Sequence, residues 1–262
     1  MSPLQAAVLG AVQGVTEFLP ISSSAHLYVI PRLLGWPYAG VAFDVALHWG
    51  TLLALIAAFW GDWLALARAA LAGERPERDA ARATWLKLAV ASVPAAIAGL
   101  LLQDLAETRL RALPLQAVTL AIFGFLLWWV DRSRPAGREV RDPGWGVCLF
   151  MGAAQSLALV PGVSRSGITI TAGRAAGLAR VSAARFSFLL ATPITFGAGL
   201  VELRHLPHEL PVATLAIGVV SAAVTGFLAI RGLIRWLGRA GFGVFFVYRL
   251  ALAAVILLNS GR

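Results

Sequence analysis

Apolar residues fill long windows of this chain, and polar residues come in short bursts between them. The windows 41–60, 85–102, 114–130, 182–201, 211–230 and 243–259 are each mostly apolar. Their lengths approach the roughly 20 residues a helix needs to cross a bilayer core, so they predict transmembrane helices. Two further apolar stretches, 4–19 and 145–160, behave differently. Each runs into a proline and a serine-rich break, then resumes as a shorter segment, near 24–35 and 166–178. Neither half of either pair spans comfortably. Broken helix at membrane depth is tolerated only where it is buried in protein or lines a cavity. The pattern therefore predicts two re-entrant helix hairpins with polar tips.

Composition agrees with the pattern. Of the 262 residues 59% are hydrophobic and only 13% charged, against about 25% charged in an ordinary soluble domain. The class is a polytopic, all-α membrane protein. The net charge of +9, from 22 Lys+Arg and 13 Asp+Glu, would suggest nucleic acid in a soluble protein. Here the excess is assigned to cytoplasmic loops, and no nucleic-acid partner is expected. Cys148 is the single cysteine, which excludes an internal disulfide and a cysteine-built zinc site. The N-terminus does not read as a cleavable signal. No Lys or Arg precedes Arg32, and Gln13 and Glu17 interrupt the apolar run.

The arginines set an orientation. They gather in 61–84, 131–142, 174–185 and 231–239, whereas 103–113 and 202–210 are balanced by Asp104, Glu107, Glu202 and Glu209. The positive-inside rule puts the first four in the cytoplasm and the last two outside. His205 and His208 then read as solvated loop histidines. One topology fits: a hairpin from outside with three transmembrane helices (1–130), then a hairpin from the cytoplasm with three more (143–262). Three crossings invert the second half relative to the first. Near-equal offsets separate Pro20 from Pro161 and Phe43 from Phe186. The expectation is one membrane domain, 1–262, built as an inverted repeat, with its site where the two tips meet near the midplane.

The tips carry the chemistry. Polar groups placed at membrane depth are costly and mark function by default. In the second tip, Pro161-Gly162-Val163-Ser164-Arg165-Ser166-Gly167 turns the chain and starts a helix. Backbone N–H groups from Gly162 to Ser166 at that helix start, hydroxyls of Ser164, Ser166 and Thr169, and the planar charge of Arg165 form a phosphate or diphosphate cradle. The competing reading is an Arg165 that snorkels to headgroups. In the first tip, Gln13 and Glu17 share a helix face. Glu17 either binds a divalent cation with Gln13 or acts as a base. Ser22, Ser23 and Ser24 follow Pro20, with His26 beyond. Serine, histidine and a nearby carboxylate suffice for nucleophilic attack on phosphorus, while helix capping accounts equally for the serines and His26. Asp44 and His48, also four apart, either support the site or bridge helices.

The segments GVTEFLPISSSAH, FDVALHWGTLLA and LVPGVSRSGIT closely resemble the signatures of the undecaprenyl-diphosphatase family, the bacitracin-resistance type of membrane phosphatase. The resemblance covers essentially the whole chain. It implies hydrolysis of undecaprenyl diphosphate to undecaprenyl phosphate and phosphate, recycling the lipid carrier for peptidoglycan. It also implies a bacterial cytoplasmic membrane location with the site facing the periplasmic side. The family's acidic motif falls on Gln13 and Glu17, which leaves Glu17 as the anionic ligand for Mg2+ or Ca2+. Its serine–histidine segment falls on Ser23, Ser24 and His26, and its arginine motif on Ser164, Arg165, Ser166 and Thr169. On this reading Ser23 is the nucleophile and His26 its base and then acid, with water activated by Glu17 or His26 as the other route. A polyprenyl-phosphate transporter is the alternative function, since inverted repeats with broken helices suit transport. Faces rich in Gly and Ala also suit a homodimer.

Overall fold

The computed structural model describes all residues except 39, 109, 135–136, 203–210 and 260–262. The expectations for His205, His208, Arg109, Arg204 and Glu209 lie outside the described residues. The described chain is helical: α1 (Pro3–Phe18), α2 (Ser23–Leu33), α3 (Val41–Ala58), α4 (Trp60–Ala72), α5 (Arg75–Thr108), α6 (Leu113–Ser133), α7 (Trp145–Gln155), a 3-10 turn (Ser156–Leu159), α8 (Arg165–Ala175), α9 (Arg180–Glu202), α10 (Val212–Leu237) and α11 (Gly243–Asn259). Spans 75–102, 113–133, 180–201 and 212–237 are each long and apolar enough to cross a membrane. Segments 42–58 and 60–72 form a further pair bent by 69°. With 17 residues, α11 is shorter, about 25 Å at the helical rise.

Both expected hairpins form, and for parallel reasons. A capping box starts α1: Gln5 N–H donates to Ser2 Oγ at 3.2 Å, and Ser2 N–H donates to Gln5 Oε1 at 2.8 Å. Pro20, which lacks an N–H and blocks continuation, follows its end. Ser22, with φ 72°, then opens α2. In the second hairpin Pro161 is followed by Gly162 at φ 91°, and Ser164, again with φ 72°, opens α8. These two serines are the only non-glycine residues with positive φ among the described residues. A non-glycine residue there carries strain that its surroundings must hold in place, and it recurs at the same point of both halves.

Packing shows that the halves are inverted. Close glycine contacts set α1 beside α10 in one direction. A Cβ on Gly10 would lie 2.2 Å from Gly218 O, and one on Gly14 would lie 2.4 Å from Ala222 O. Ser221 Oγ donates to Ala7 O and Thr225 Oγ1 to Ala11 O. Helix α3 runs the same way, with Phe43 and Leu47 at Gly218 and Ala54 at Gly226. In the other half α7 follows α5 in the same sense, with Ala91 against Gly152 and Gly99 against Leu159. Counterpart helices run antiparallel. Trp49 meets Phe196 while Phe59 meets Phe188, between α3 and α9. Phe246 meets Phe125 and Trp128 while Arg249 meets Leu120, between α6 and α11. The small-residue faces of α1 and α10 are thus used within the chain.

Two expected loops are corrected. Residues 61–84 form α4 and the start of α5, because Ala, Leu and Arg there are strong helix formers and only the stretch around Gly73 interrupts them. Residues 231–237 continue α10. The arginine-rich segments still collect at one end of the bundle. Arg174 and Arg180 both reach Asp131, at 2.9 and 2.8 Å, and Arg185 reaches Asp62 at 2.7 Å. Arg174, in a segment assigned to the cytoplasmic side, is fully buried. It donates to Asp131, to Leu178 O and to Arg134 O. Elsewhere Leu100, Leu101, Val220, Leu228 and Val247 are exposed on their helices, an apolar belt of the kind lipid covers.

Candidate active site

The two tips meet. Ser166 Oγ donates to Leu19 O at 3.1 Å. Arg249, on α11 and fully buried, donates to carbonyls of both tips: Gly162 O at 2.7 Å, Val163 O at 3.1 Å and Pro20 O at 3.4 Å. It also donates to Leu120 O and Thr119 O of α6. No carboxylate pairs with it among the described residues. Five carbonyls share one guanidinium, so the positive charge remains available to the field at the tips. Arg249 was not a sequence candidate. Its only signal there was a lone arginine inside an apolar window.

At the junction stands Glu17, 8% exposed. Its Oε1 takes a charge-assisted bond from Arg165 Nη2 at 2.7 Å, from one tip to the other. Its Oε2 accepts from Ser23 Oγ at 2.7 Å and from Gln13 Nε2 at 3.2 Å. His48 Nε2 is 3.6 Å from the same oxygen. His48 Nδ1 lies 2.8 Å from Asp44 O, and since a carbonyl only accepts, Nδ1 carries the proton and Nε2 faces the carboxylate. Asp44 itself points away: its side chain accepts from Tyr38 OH at 2.6 Å, which in turn accepts from Arg111 at 2.7 Å. Burial, with Asp44 beside it, pushes the Tyr38 hydroxyl above its ordinary pKa, so it stays a donor.

These groups line a cavity of about 290 Å³. Glu17, Ser22, Ser23, Ser24 and His48 come from the first half, and Gln155, Ser164 and Arg165 from the second. Ala95, Leu159, Ile194 and Ala198 give it apolar walls. Ser24 is exposed, and its hydroxyl lies 3.2 Å from that of Ser22. Ser164 Oγ accepts from Gly167 N–H.

Several expected site residues lie elsewhere. His26 does not pair with Ser23. Its Nδ1 donates to Ser22 O and its Nε2 accepts from Tyr248 OH, both at 2.7 Å, with the rings stacked. Both nitrogens are therefore committed, and the ring acts on the strained Ser22 turn. Gly162 is closed off from the cavity, since a Cβ on it would meet Thr119 Oγ1 at 2.1 Å. Ser166 is spent on the tip-to-tip bond. Thr169 is fully buried, bonded to Arg165 O and to Ser187 Oγ. Of the residues expected to form a cradle, Arg165 and Ser164 line the cavity, and Gly162, Ser166 and Thr169 do not. Gln13 turns its amide nitrogen, a donor and not a metal ligand, to Glu17. Among the described residues no cluster of three or more His, Cys, Asp or Glu side chains gathers to hold a metal. What faces the cavity is one carboxylate and several hydroxyls. That set suits a hard cation only when substrate phosphates supply most of its oxygens.

The sequence model of the family described as bacitracin resistance protein BacA matches residues 6–255. The undecaprenyl-diphosphatase of Pelotomaculum thermopropionicum is 47% identical over 264 residues, covering 100% of this chain and 98% of its own. That of Moorella thermoacetica is 49% identical over 257 residues, covering 98% and 97%. That of Gemmatimonas aurantiaca is 48% identical over 262 residues, covering 98% and 97%. With the matching region running through both broken helices and every group at their junction, the chain belongs to the BacA bacitracin-resistance family.

Proposed function

We propose that this protein is an undecaprenyl-diphosphatase that removes the terminal phosphate of a polyprenyl diphosphate within the membrane. The observation that carries this reading is the chain of contacts Ser23–Glu17–Arg165 across the two tips. A hydroxyl already bonded to a buried carboxylate has a place for its proton. Ser23 Oγ attacks the terminal phosphorus as Glu17 accepts that proton. The bond from phosphorus to the bridging oxygen breaks, and lipid monophosphate leaves with the electron pair. Water then attacks the phosphoserine and gives a proton to His48 Nε2, which stands at the cavity. As the bond from phosphorus to Ser23 Oγ breaks, Glu17 returns its proton to that oxygen and inorganic phosphate leaves. Arg165, with Ser164, faces the charge that builds up on the phosphoryl oxygens, and positioning and electrostatics of this kind supply most of phosphoryl-transfer catalysis.

A divalent cation, Mg2+ or Ca2+, would be held by Glu17 together with substrate phosphate and would add Lewis-acid neutralisation of those oxygens. The apolar walls suit a prenyl chain leaving between helices into lipid. Facing outward from a bacterial cytoplasmic membrane is the orientation favoured by the arginine-rich opposite end and by Tyr38, Asp44 and Arg111 lying on the cavity's side. The names of the relatives favour the phosphatase over the transport alternative, and a transporter has no need of a serine bonded to a carboxylate.

The test is phosphate release from undecaprenyl diphosphate in detergent. Arg165→Ala is expected to lose at least about a hundredfold in turnover, the usual cost of removing a transition-state donor, and Ser23→Ala more. Near-normal turnover in Arg165→Ala would sink the assignment. A trapped phosphoserine at Ser23 would support the covalent route, and near-normal turnover in Ser23→Ala would pass attack to water.

A further inference from the structure

Gln155 ends α7 and lines the cavity, 2% exposed. Neither its Nε2 nor its Oε1 has a hydrogen-bond partner. A buried amide with both ends unmet is costly, and such groups in folded proteins call for an explanation. Across the same cavity Arg165 spends Nη2 on Glu17, while its buried Nη1 also has no partner. The repeat sharpens the contrast. Gln13 stands to Ser22 as Gln155 stands to Ser164, yet Gln13 is turned to Glu17 and does not line the cavity. Gln13 has its nitrogen bonded inside the protein and only its Oε1 unpaired, whereas Gln155 lines the cavity with both amide atoms unpaired.

We infer that Gln155 is a substrate-binding residue. Its amide, with the free edge of Arg165, holds the phosphate that stays on the lipid. The inference rests on the phosphatase reading. The Ser23–Glu17 pair fixes where the transferred phosphorus must lie, on the first tip. Gln155 stands on the second half, beside the apolar wall of Ala95, Ala158 and Leu159, the side suited to the prenyl chain. An amide donates from nitrogen and accepts at oxygen, so it can bond both a bare and a protonated phosphate oxygen. Arg165 then bridges the two phosphates, with one nitrogen toward the reacting pair and one toward the leaving group.

The experiment compares wild type with Gln155→Leu and Gln155→Glu in detergent. Three quantities are read: KM for undecaprenyl diphosphate, the inhibition constants of undecaprenyl phosphate and of inorganic phosphate, and direct binding of undecaprenyl phosphate. Gln155→Leu is expected to raise KM and weaken lipid-phosphate binding by about tenfold or more, the worth of a hydrogen bond to a charged group. Inorganic phosphate inhibition should change less than about twofold, a small effect beside that bond. Gln155→Glu, which sets a carboxylate against phosphate, should weaken lipid-phosphate binding further. The melting temperature of Gln155→Leu should hold or rise, because the residue removed satisfies nothing in the protein.

Unchanged lipid-phosphate binding in both variants would overturn the assignment, as would a shift confined to inorganic phosphate, or a melting temperature that falls in Gln155→Leu with binding intact. Should Gln155→Leu not fold, the packing role it reveals also counts against the proposal, and Gln155→Glu still reads binding. Wild-type protein that releases no phosphate would sink the phosphatase reading, while the direct binding arm continues to test Gln155.

Discussion

Glu17 is the residue on which the rest of the site depends. It is a buried carboxylate that receives Arg165 on one oxygen and Ser23 and Gln13 on the other. Removing one partner of such a group leaves an unpaired charge in the interior, which costs several times what the contact itself gains. The histidines divide differently from their order in the sequence. His26 shows the spacing of a base for Ser23, but a helix places residues three apart on neighbouring, not identical, directions, and Tyr248 captures the ring. His48, read from the sequence only as support, stands at the carboxylate. It follows that His26→Gln, which preserves a donor and an acceptor near Ser22 O and Tyr248, should leave the shape of the pH profile of kcat/KM unchanged. His48→Gln should flatten one limb of it. A limb lost in His26→Gln and kept in His48→Gln would return proton transfer to His26. The residue types of the site were legible in the sequence because Glu, Ser and Arg in membrane-grade helices have few other uses. Which hydroxyls face the cavity was not, since Ser164 and Ser166 differ only in which way one turn of helix points them. Gln155 opens the motif of the second tip as Gln13 opens that of the first, but the sequence assigns it no role, and Arg249 belongs to no motif. Only tertiary contacts reveal what the two residues touch.

At the scale of elements, the broken helices depend on close backbone approach. Gly14 lets α1 sit on α10, and Gly152 lets α7 sit on α5, where a Cβ would lie 2.1 Å from Ala91 O. Each of these glycines seats a re-entrant helix on a long span. Helix interiors normally pay about 1 kcal/mol for glycine over alanine, so they are retained for space. Gly152→Ala and Gly14→Ala should each lower stability by roughly 1–3 kcal/mol or more, the range for overpacking, read as a fall in melting temperature in detergent. Gly232, in α10 with nothing within 4 Å of its missing Cβ, is the control: Gly232→Ala should be neutral or slightly stabilising. Equal losses at Gly232 and Gly152 would show that propensity, not contact, sets the cost. Hairpin boundaries could be read from Pro and Ser positions because proline stops a helix by covalent geometry. The 61–84 segment could not be read as helix, because its charge pattern signals exposure and both loops and surface helices are exposed.

For the whole molecule, inversion puts two unlike tips into one site. The antiparallel pairs α3 with α9 and α6 with α11 place the breaks opposite each other, so neither half holds both Glu17 and Arg165. The same symmetry fixes which surfaces are opposite. Pro37, exposed between α2 and α3, lies at the Tyr38–Asp44–Arg111 end. Arg235, exposed near the end of α10, lies at the end where Asp131 collects Arg174 and Arg180. Native Cys148 is buried, its thiol bonded to Pro143 O, so it gives little background to thiol reagents. In intact cells, Pro37→Cys is expected to react with a membrane-impermeant maleimide, and Arg235→Cys only after permeabilisation. The arginine imbalance between the two ends is the physical reason, since positively charged loops are retained on the cytoplasmic side. The reverse labelling pattern would turn the molecule over, open the cavity to the cytoplasm, and require that the diphosphate be met there instead.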